Sequence, residues 1–477
     1  MGLCESHDED GPLADVNFEG LRSSSEIAVR LRHVLSLAHR ILDHDSLPLF
    51  DLIRVVRRVS RISKAMRMAN PEVITEECLK DGCKPMTNAE EARQLASYVY
   101  HAQLVYETDT DVVRHSLTRC GMSLIQHNKE INTGRVANYL AIDPRQKVAV
   151  LSIKGTSTIE DALTDIIADT GPLHIPGRFL NAAFVAGSLR ASAHGGFTLA
   201  AYGVLHQVEP LILHFLQPLG YQLILTGHSL GAGTACCLAK ILHDRLFFSR
   251  PHLLRCFAYA TPPCLDKEAS LSMVPYTTSV VHHDDFVTRA SLYNAKLMIT
   301  GWKKAKDLMD EGEFEDLDKF SFMHDLQHRV ILDAKDDLYV AGRVLYVYKL
   351  GYPRRDDPVK YKAVTKDGTM ARLRCFSFSR SSLTDHSCCR YIDSLGKVAA
   401  QLTGLQAEDF KPWLEADETK LTEIGPKDAV ICKQFCEDTP SLPTMLVKPP
   451  PVVSYPALPT LLTSKPAPWE QNTSKDW

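Results

Sequence analysis

The sequence predicts an α/β fold, a mainly parallel sheet with helices on both faces, preceded by a helical N-terminal region and followed by a proline-rich tail. Three observations lead there. Short β-branched runs alternate with helix-length segments from about residue 137 onward, the pattern of strands joined by crossover helices. Several of those runs, such as "VAVLSI", are apolar almost throughout, as strands covered on both faces are. One of them passes directly into a serine bracketed by glycines, "YQLILTGHSLGAGTACCLAK".

Taken in order, residues 1–25 are acidic and serine-containing and read as a mobile terminus. Residues 26–136 form a helical N-terminal region. In it Leu52, Val55, Val56, Val59, Ile62 and Met66 recur at helical steps, with Arg54, Arg57, Arg58, Arg61, Lys64 and Arg67 on the other faces, until Pro71 ends the helix. Two roles are open to this basic amphipathic helix. Its stripe packs on the main domain with the arginines solvated, or it lies on an anionic membrane surface. A second helix, "TNAEEARQLASYVYHAQLVY", opens with Thr87 three residues before Glu90, the spacing of a capping box.

Residues 137–438 read as the α/β domain. "KVAVLSIKGTSTIEDALTDI" is a buried strand, a turn at Gly155 and a helix-like segment. "SAHGGFTLAAYGVLHQVEPLILHFL" is a glycine turn entering a long helix, and "LLRCFAYATPP", "TTSVVHHDDFVTRAS" and "GRVLYVYKL" are further strands. A charged, helix-rich insertion occupies about 295–336. The tail, 439–477, holds too many prolines to join a packed core and offers an extended ligand for a proline-binding domain.

The bulk numbers exclude some classes. A chain of 477 residues with 45% apolar content buries a large core. A formal charge of -4 gives no global attraction to nucleic acid. Thirteen cysteines, two pairs of them adjacent, show no zinc-like repeat and read as reduced thiols in a cytosolic setting. The pairs Cys78 with Cys83 and Cys432 with Cys436 are read as structural, so no metal is expected. The first residues lack a signal peptide, and no stretch reads as a bilayer span, so the chain is expected to be cytoplasmic or peripherally anchored, not secreted.

In "GHSLGAG" Ser229 has Gly227 two places before and Gly231 two places after, with a strand leading in and small residues leading out. That is a nucleophile elbow, a sharp strand-to-helix turn that lifts a hydroxyl clear. A phosphate-binding loop would need Lys and then Ser or Thr after its last glycine, and Gly233 is followed by Thr234 and Ala235. A purely structural turn is the remaining alternative, and partners elsewhere decide between them.

A serine needs a histidine to take its proton and an acid to orient that histidine, in the order Ser, Asp or Glu, His for an α/β-hydrolase. "VVHHDDFVTR" puts Asp284 and Asp285 at a strand's end, and either one serves. His386, in the loop of "FSRSSLTDHSCCRYIDSL", is the best-placed base among nineteen histidines. The oxyanion formed on attack would meet the backbone N–H of Leu230 and, from the earlier strand-to-helix loop, Thr156.

With these residues in place the sequence resembles the class 3 lipases, and within them the intracellular sn-1-specific diacylglycerol lipases more than the secreted fungal enzymes. The resemblance rests on "VLSIKGTSTIEDALTDI", "HGGF", "LILTGHSLGAGTA", "FAYATPP", "HDDFVTR", "GRVLYVYK" and "LTDHS", in that order. It implies an α/β-hydrolase fold, with Ser229 as nucleophile, His386 as base and Asp285 as the acid. It also implies Thr156 and Leu230 as the oxyanion hole, with His228 beside the nucleophile between Gly227 and Gly231. Where the family has a proline after this acid the chain has Thr288, a change expected to loosen the turn.

The resemblance further implies a lid at about 171–193 and a regulatory loop in the 295–336 insertion. The expected activity is cofactor-free hydrolysis of glycerolipid acyl esters, diacylglycerol first. Phospholipase A1, monoacylglycerol or triacylglycerol lipase activity, and a lipase-like scaffold that binds without turnover, are the alternatives. "MGLCES" supplies Gly2 for myristoylation and Cys4 for palmitoylation, a second route to peripheral membrane contact.

Overall fold

The structure, a computed structural model, describes residues 49–129, 136–155, 170–172, 192–247, 250–311, 338–351, 359–374, 382 and 384–410. The expected mobile terminus, the acylation residues Gly2 and Cys4, Thr156, Cys432 with Cys436 and the tail 439–477 lie outside the described residues. So do most of the expected lid and the later part of the insertion.

In chain order the elements are α1 (Leu49–Ala69), α2 (Val73–Lys80), β1 (Lys84–Pro85), α3 (Ala89–Leu104), α4 (Thr110–Arg119), β2 (Ser123–Asn128), β3 (Asn138–Asp143), β4 (Val148–Ile153), β5 (Thr170–Pro172) and β6 (Ser192–His194). There follow α5 (Gly195–Leu211), β7 (Gln222–His228), α6 (Leu230–Leu242), β8 (Leu254–Tyr259), α7 (Lys267–Ser272), β9 (Thr277–His282), α8 (Leu292–Asp310), β10 (Arg343–Lys349), β11 (Tyr361–Asp367) and α9 (Cys388–Thr403).

Among the described residues nine strands form one sheet in the order β1-β11-β10-β9-β8-β7-β4-β3-β2. Its centre is parallel, β4 with β7, β7 with β8, β8 with β9 and β9 with β10. Antiparallel pairs flank that centre on both sides. Strands β1 and β2, from the helical N-terminal region, are thus hydrogen-bonded into the same sheet as the strands that follow residue 137.

Side-chain alternation along the strands feeds two layers of core. On β9 and β10, Val280, Leu345 and Val347 face a layer built with α3 and α9, through Leu95, Val99, Tyr391 and Leu395. The alternate residues Val281, Val344, Tyr346 and Tyr348 pack on the other face with Ile74 and Cys78 of α2. Parallel register pairs Val280 with Leu345 and Val281 with Tyr346, so both strands present the same face at each level.

Local chemistry sets the helix ends. α1 stops at Ala69 because Asn70 precedes Pro71, and the proline ring disfavours a helical residue before it. The cap of α3 is Asn88, not Thr87: the Asn88 side chain accepts the Glu91 N–H at 3.1 Å, which replaces the expected capping box. α9 ends on Gly404 at φ 75°, a left-handed position that glycine takes without a side-chain clash.

One expectation is corrected. The run Gly195–Leu216, α5 with its continuation, has 22 residues and is long and apolar enough to cross a membrane by length and composition. In the structure Phe197, Ala201, Val204, Leu205 and Val208 are buried, and α5 packs against α6. The nine cysteines among the described residues are free thiols.

Candidate active site

The site lies at the carboxyl ends of the central parallel strands. Each of β7, β8 and β9 is followed at once by a non-glycine residue in the left-handed region: Ser229 at φ 60°, Ala260 at φ 54° and His283 at φ 43°. Such conformations cost of order 1–3 kcal/mol each and persist where the surroundings over-determine them. Three side by side turn the chain sharply along one sheet edge.

Ser229 sits between β7 and α6 with φ 60° and ψ -127°. Its N–H donates to the Tyr259 carbonyl at 3.0 Å, and its own carbonyl accepts the N–H groups of Ala232 and Gly233. The flanking glycines are required by space. A Cβ on Gly227 would lie 2.6 Å from the Gly231 carbonyl group, and one on Gly231 would lie 2.9 Å from Gly155 N. Because Ile153 of β4 pairs with Gly227 of β7, the end of β4 is carried against the elbow.

His386 stands in the turn before α9. Its Nε2 lies 3.0 Å from Ser229 Oγ, and its Nδ1 lies 3.1 Å from both oxygens of Asp285. An ionised carboxylate only accepts, so the proton is on Nδ1 and the Nε2 lone pair faces the serine hydroxyl. All three residues are buried, Asp285 at 0% exposure.

Asp285 is held on both oxygens. Val287 N–H donates to Oδ1 at 2.9 Å and the Tyr391 hydroxyl to Oδ2 at 2.6 Å. Burial alone would raise its pKa, but the His386 ring and the hydrogen bonds from His386 and Tyr391 outweigh that and hold it below the usual carboxylate range. Of the two aspartates left open by their own sequence context, Asp285 is the one that reaches His386. The Asp284 carboxylate instead stands against Arg67.

His228 also has a defined place. Its Nε2 lies 2.8 Å from the His386 carbonyl, which can only accept, so His228 is a donor there. Burial, and after it the nearby His386 ring, push its pKa down to about 3, so it is neutral. Thr288, at the family's proline position, does not leave the turn loose: its hydroxyl donates to the Asp285 carbonyl at 2.8 Å. Buried Arg289 adds N–H donors to the Asp285 carbonyl and, at 2.8 Å, to the His283 carbonyl.

Leu230 opens α6, where helix N–H groups lack intrahelical partners. Gly155, the residue before Thr156, lies close to the Tyr106 hydroxyl and has no room for a Cβ, which would lie 2.6 Å from that oxygen. β5 and β6 pair antiparallel, Thr170 opposite His194, which brings together the two ends of the chain leading into and out of 173–191. The first part of the expected insertion is helical, belonging to α8.

Sequence reasoning missed Tyr391, Arg289 and Tyr106. Arg289 closes the quoted stretch "HDDFVTR" and acts within its own turn, whereas Tyr391 and Tyr106 carry no motif and meet the site from segments far away in sequence. His283, Asp284 and Asp385 also place ligand-type atoms within 4.8 Å of one another, and the Arg67 guanidinium lies against two of the three.

A Ser–His–Asp chain of hydrogen bonds at the carboxyl edge of such a sheet is the arrangement of the α/β-hydrolases. Residues 150–295 match the family model "Lipase (class 3)". The chain is 30% identical over 240 residues to diacylglycerol lipase-alpha of Homo sapiens, covering 44% of this chain and 22% of that protein. To diacylglycerol lipase-beta of Mus musculus it is 28% identical over 156 residues, covering 32% and 22%. The matches thus span less than a quarter of these curated relatives. Among solved structures, a lipase from Rhizopus microsporus var. chinensis is 16% identical with a TM-score of 0.42, covering 64% of this chain and 88% of that one.

Proposed function

We propose that the chain is a serine hydrolase of glycerolipid acyl esters, with diacylglycerol its preferred substrate and no cofactor. The observation that carries this reading is the contact of His386 with both Ser229 and Asp285. In the proposed reaction His386 Nε2 takes the Ser229 proton as Oγ bonds to the acyl carbonyl carbon. The carbonyl oxygen becomes an oxyanion, received by the Leu230 N–H and by Thr156. His386 then returns the proton to the departing glycerol oxygen, leaving an acyl-enzyme. Water attacks that ester with His386 again as base, releasing the fatty acid and restoring Ser229.

The choice of diacylglycerol is supported by the names of the relatives, diacylglycerol lipases alpha and beta. Such a substrate resides in a lipid surface, so the reading includes peripheral membrane contact, through acylation at Gly2 and Cys4 or through α1.

A fluorophosphonate probe tests the chemistry. Wild-type protein is expected to be labelled at Ser229 and Ser229→Ala not at all; a folded wild type that takes no label would leave the scaffold alternative. A panel of mono-, di- and triacylglycerols and phospholipids in mixed micelles then tests the substrate, with diacylglycerol expected to turn over fastest.

A further inference from the structure

α1 lies before the segment that matches the lipase family, yet its last turn enters the site. Arg67 Nη2 is 2.6 Å from His283 Nε2, and Nη1 is 3.4 Å from Asp284 Oδ2. His283 and Asp284 are buried, and they are the two residues immediately before Asp285. A guanidinium has no lone pair to offer, so His283 Nε2 must accept and the ring is neutral. Arg67 thereby bridges two consecutive side chains of the turn that presents Asp285 to His386.

The other end of α1 grips the same segment further on. Arg54 pairs with Asp310, the last residue of α8. α8 begins at Leu292, directly after the turn closed by Arg289. α1 packs along α8, so the stretch from His283 to Asp310 is braced from one helix near both of its ends. The left-handed φ of 43° at His283 is a conformation that needs such bracing.

We infer that Arg67 is a positioning residue for hydrolysis: its guanidinium fixes the His283–Asp284 turn so that Asp285 meets His386. The inference rests on the hydrolase reading above. It assigns α1 a part in turnover separate from any contact with lipid.

The test uses the full chain and p-nitrophenyl butyrate, a soluble ester, so that surface binding does not enter the rate. Arg67→Ala alone would leave the buried Asp284 charge unpaired and could unfold the chain. The deciding variants are therefore Arg67→Ala/Asp284→Asn, which removes both charges, and Arg67→Lys, which keeps both charges but loses the guanidinium's forked donors. Arg61→Ala, on an exposed residue of the same helix, is the control. For the double variant kcat is expected to fall by about tenfold or more, since small misplacements of catalytic groups carry costs of up to about 100-fold. KM and the melting temperature are expected to stay near wild type, with Arg67→Lys intermediate in kcat and Arg61→Ala unchanged. A folded double variant with the wild-type kcat overturns the inference, as does a loss of rate in Arg67→Lys that only follows its loss of folded protein. Absence of fluorophosphonate labelling in the wild type would instead sink the hydrolase reading itself.

Discussion

Tyr391 donates its hydroxyl to Asp285 at 2.6 Å while accepting the His282 N–H at 3.1 Å. It ties Asp285 to the end of β9 and to α9. Hydrogen bonds to charged groups are worth about 1.5–3 kcal/mol, so Tyr391→Phe is expected to slow ester hydrolysis by about tenfold with its circular dichroism unchanged. Asp385, next to His386 in sequence, behaves differently. Burial raises its pKa from 3.8 to about 7, against the lowering pull of Lys349 at 3.4 Å. A carboxyl with a raised folded value contributes most below its unfolded pKa and loses that contribution as pH rises through the folded one. Asp385→Asn is thus expected to gain stability relative to wild type between about pH 4 and 7, by up to ~4 kcal/mol, and to show a constant difference above that. Urea unfolding at pH 5 and pH 8 would measure it; a difference that does not grow with pH would count against the ionisation of Asp385.

At the scale of elements, the site is a product of strand ends. β7, β8 and β9 lie side by side, and the residue after each has a positive φ, so the turns at Ser229 and Asp285 come from strands on either side of β8 while His386 stands before α9. The elbow works only if β4, β7 and α6 approach at backbone contact. Gly231→Ala would press a methyl group into the backbone of the segment from Ile153 to Gly155, an overpacking that costs typically ~1–3 kcal/mol. Its expected signature is a lower melting temperature together with loss of fluorophosphonate labelling. Retained labelling at wild-type rate would show that the chain relaxes around the new carbon.

For the molecule as a whole, the residues before 137 supply part of the core. Leu95, Val99, Val113 and Leu117 are each 0% exposed, and β2 covers the edge of β3. A chain starting at residue 137 would expose that apolar surface and an unpaired strand edge. It is expected to be insoluble or to melt without cooperativity, as scanning calorimetry would record; a sharp transition near that of the full chain would disprove the dependence.

The sequence by itself determined the parts of this protein whose causes are local or ordered along the chain. The apolar runs set the strands, and the glycines around Ser229 set the elbow, since only residues without Cβ fit where backbones touch. The order of Ser229, the aspartate pair and His386 marked the site, with family resemblance selecting Asp285. Only the tertiary structure decided matters of distance between remote segments. It turned Asp284 toward Arg67 and Asp285 toward His386, placed Tyr391 behind the acid and brought α1 against the turn at His283. Neighbouring side chains with the same chemistry carry no local mark of which way they face; strand register and the helices packed above it supply the direction.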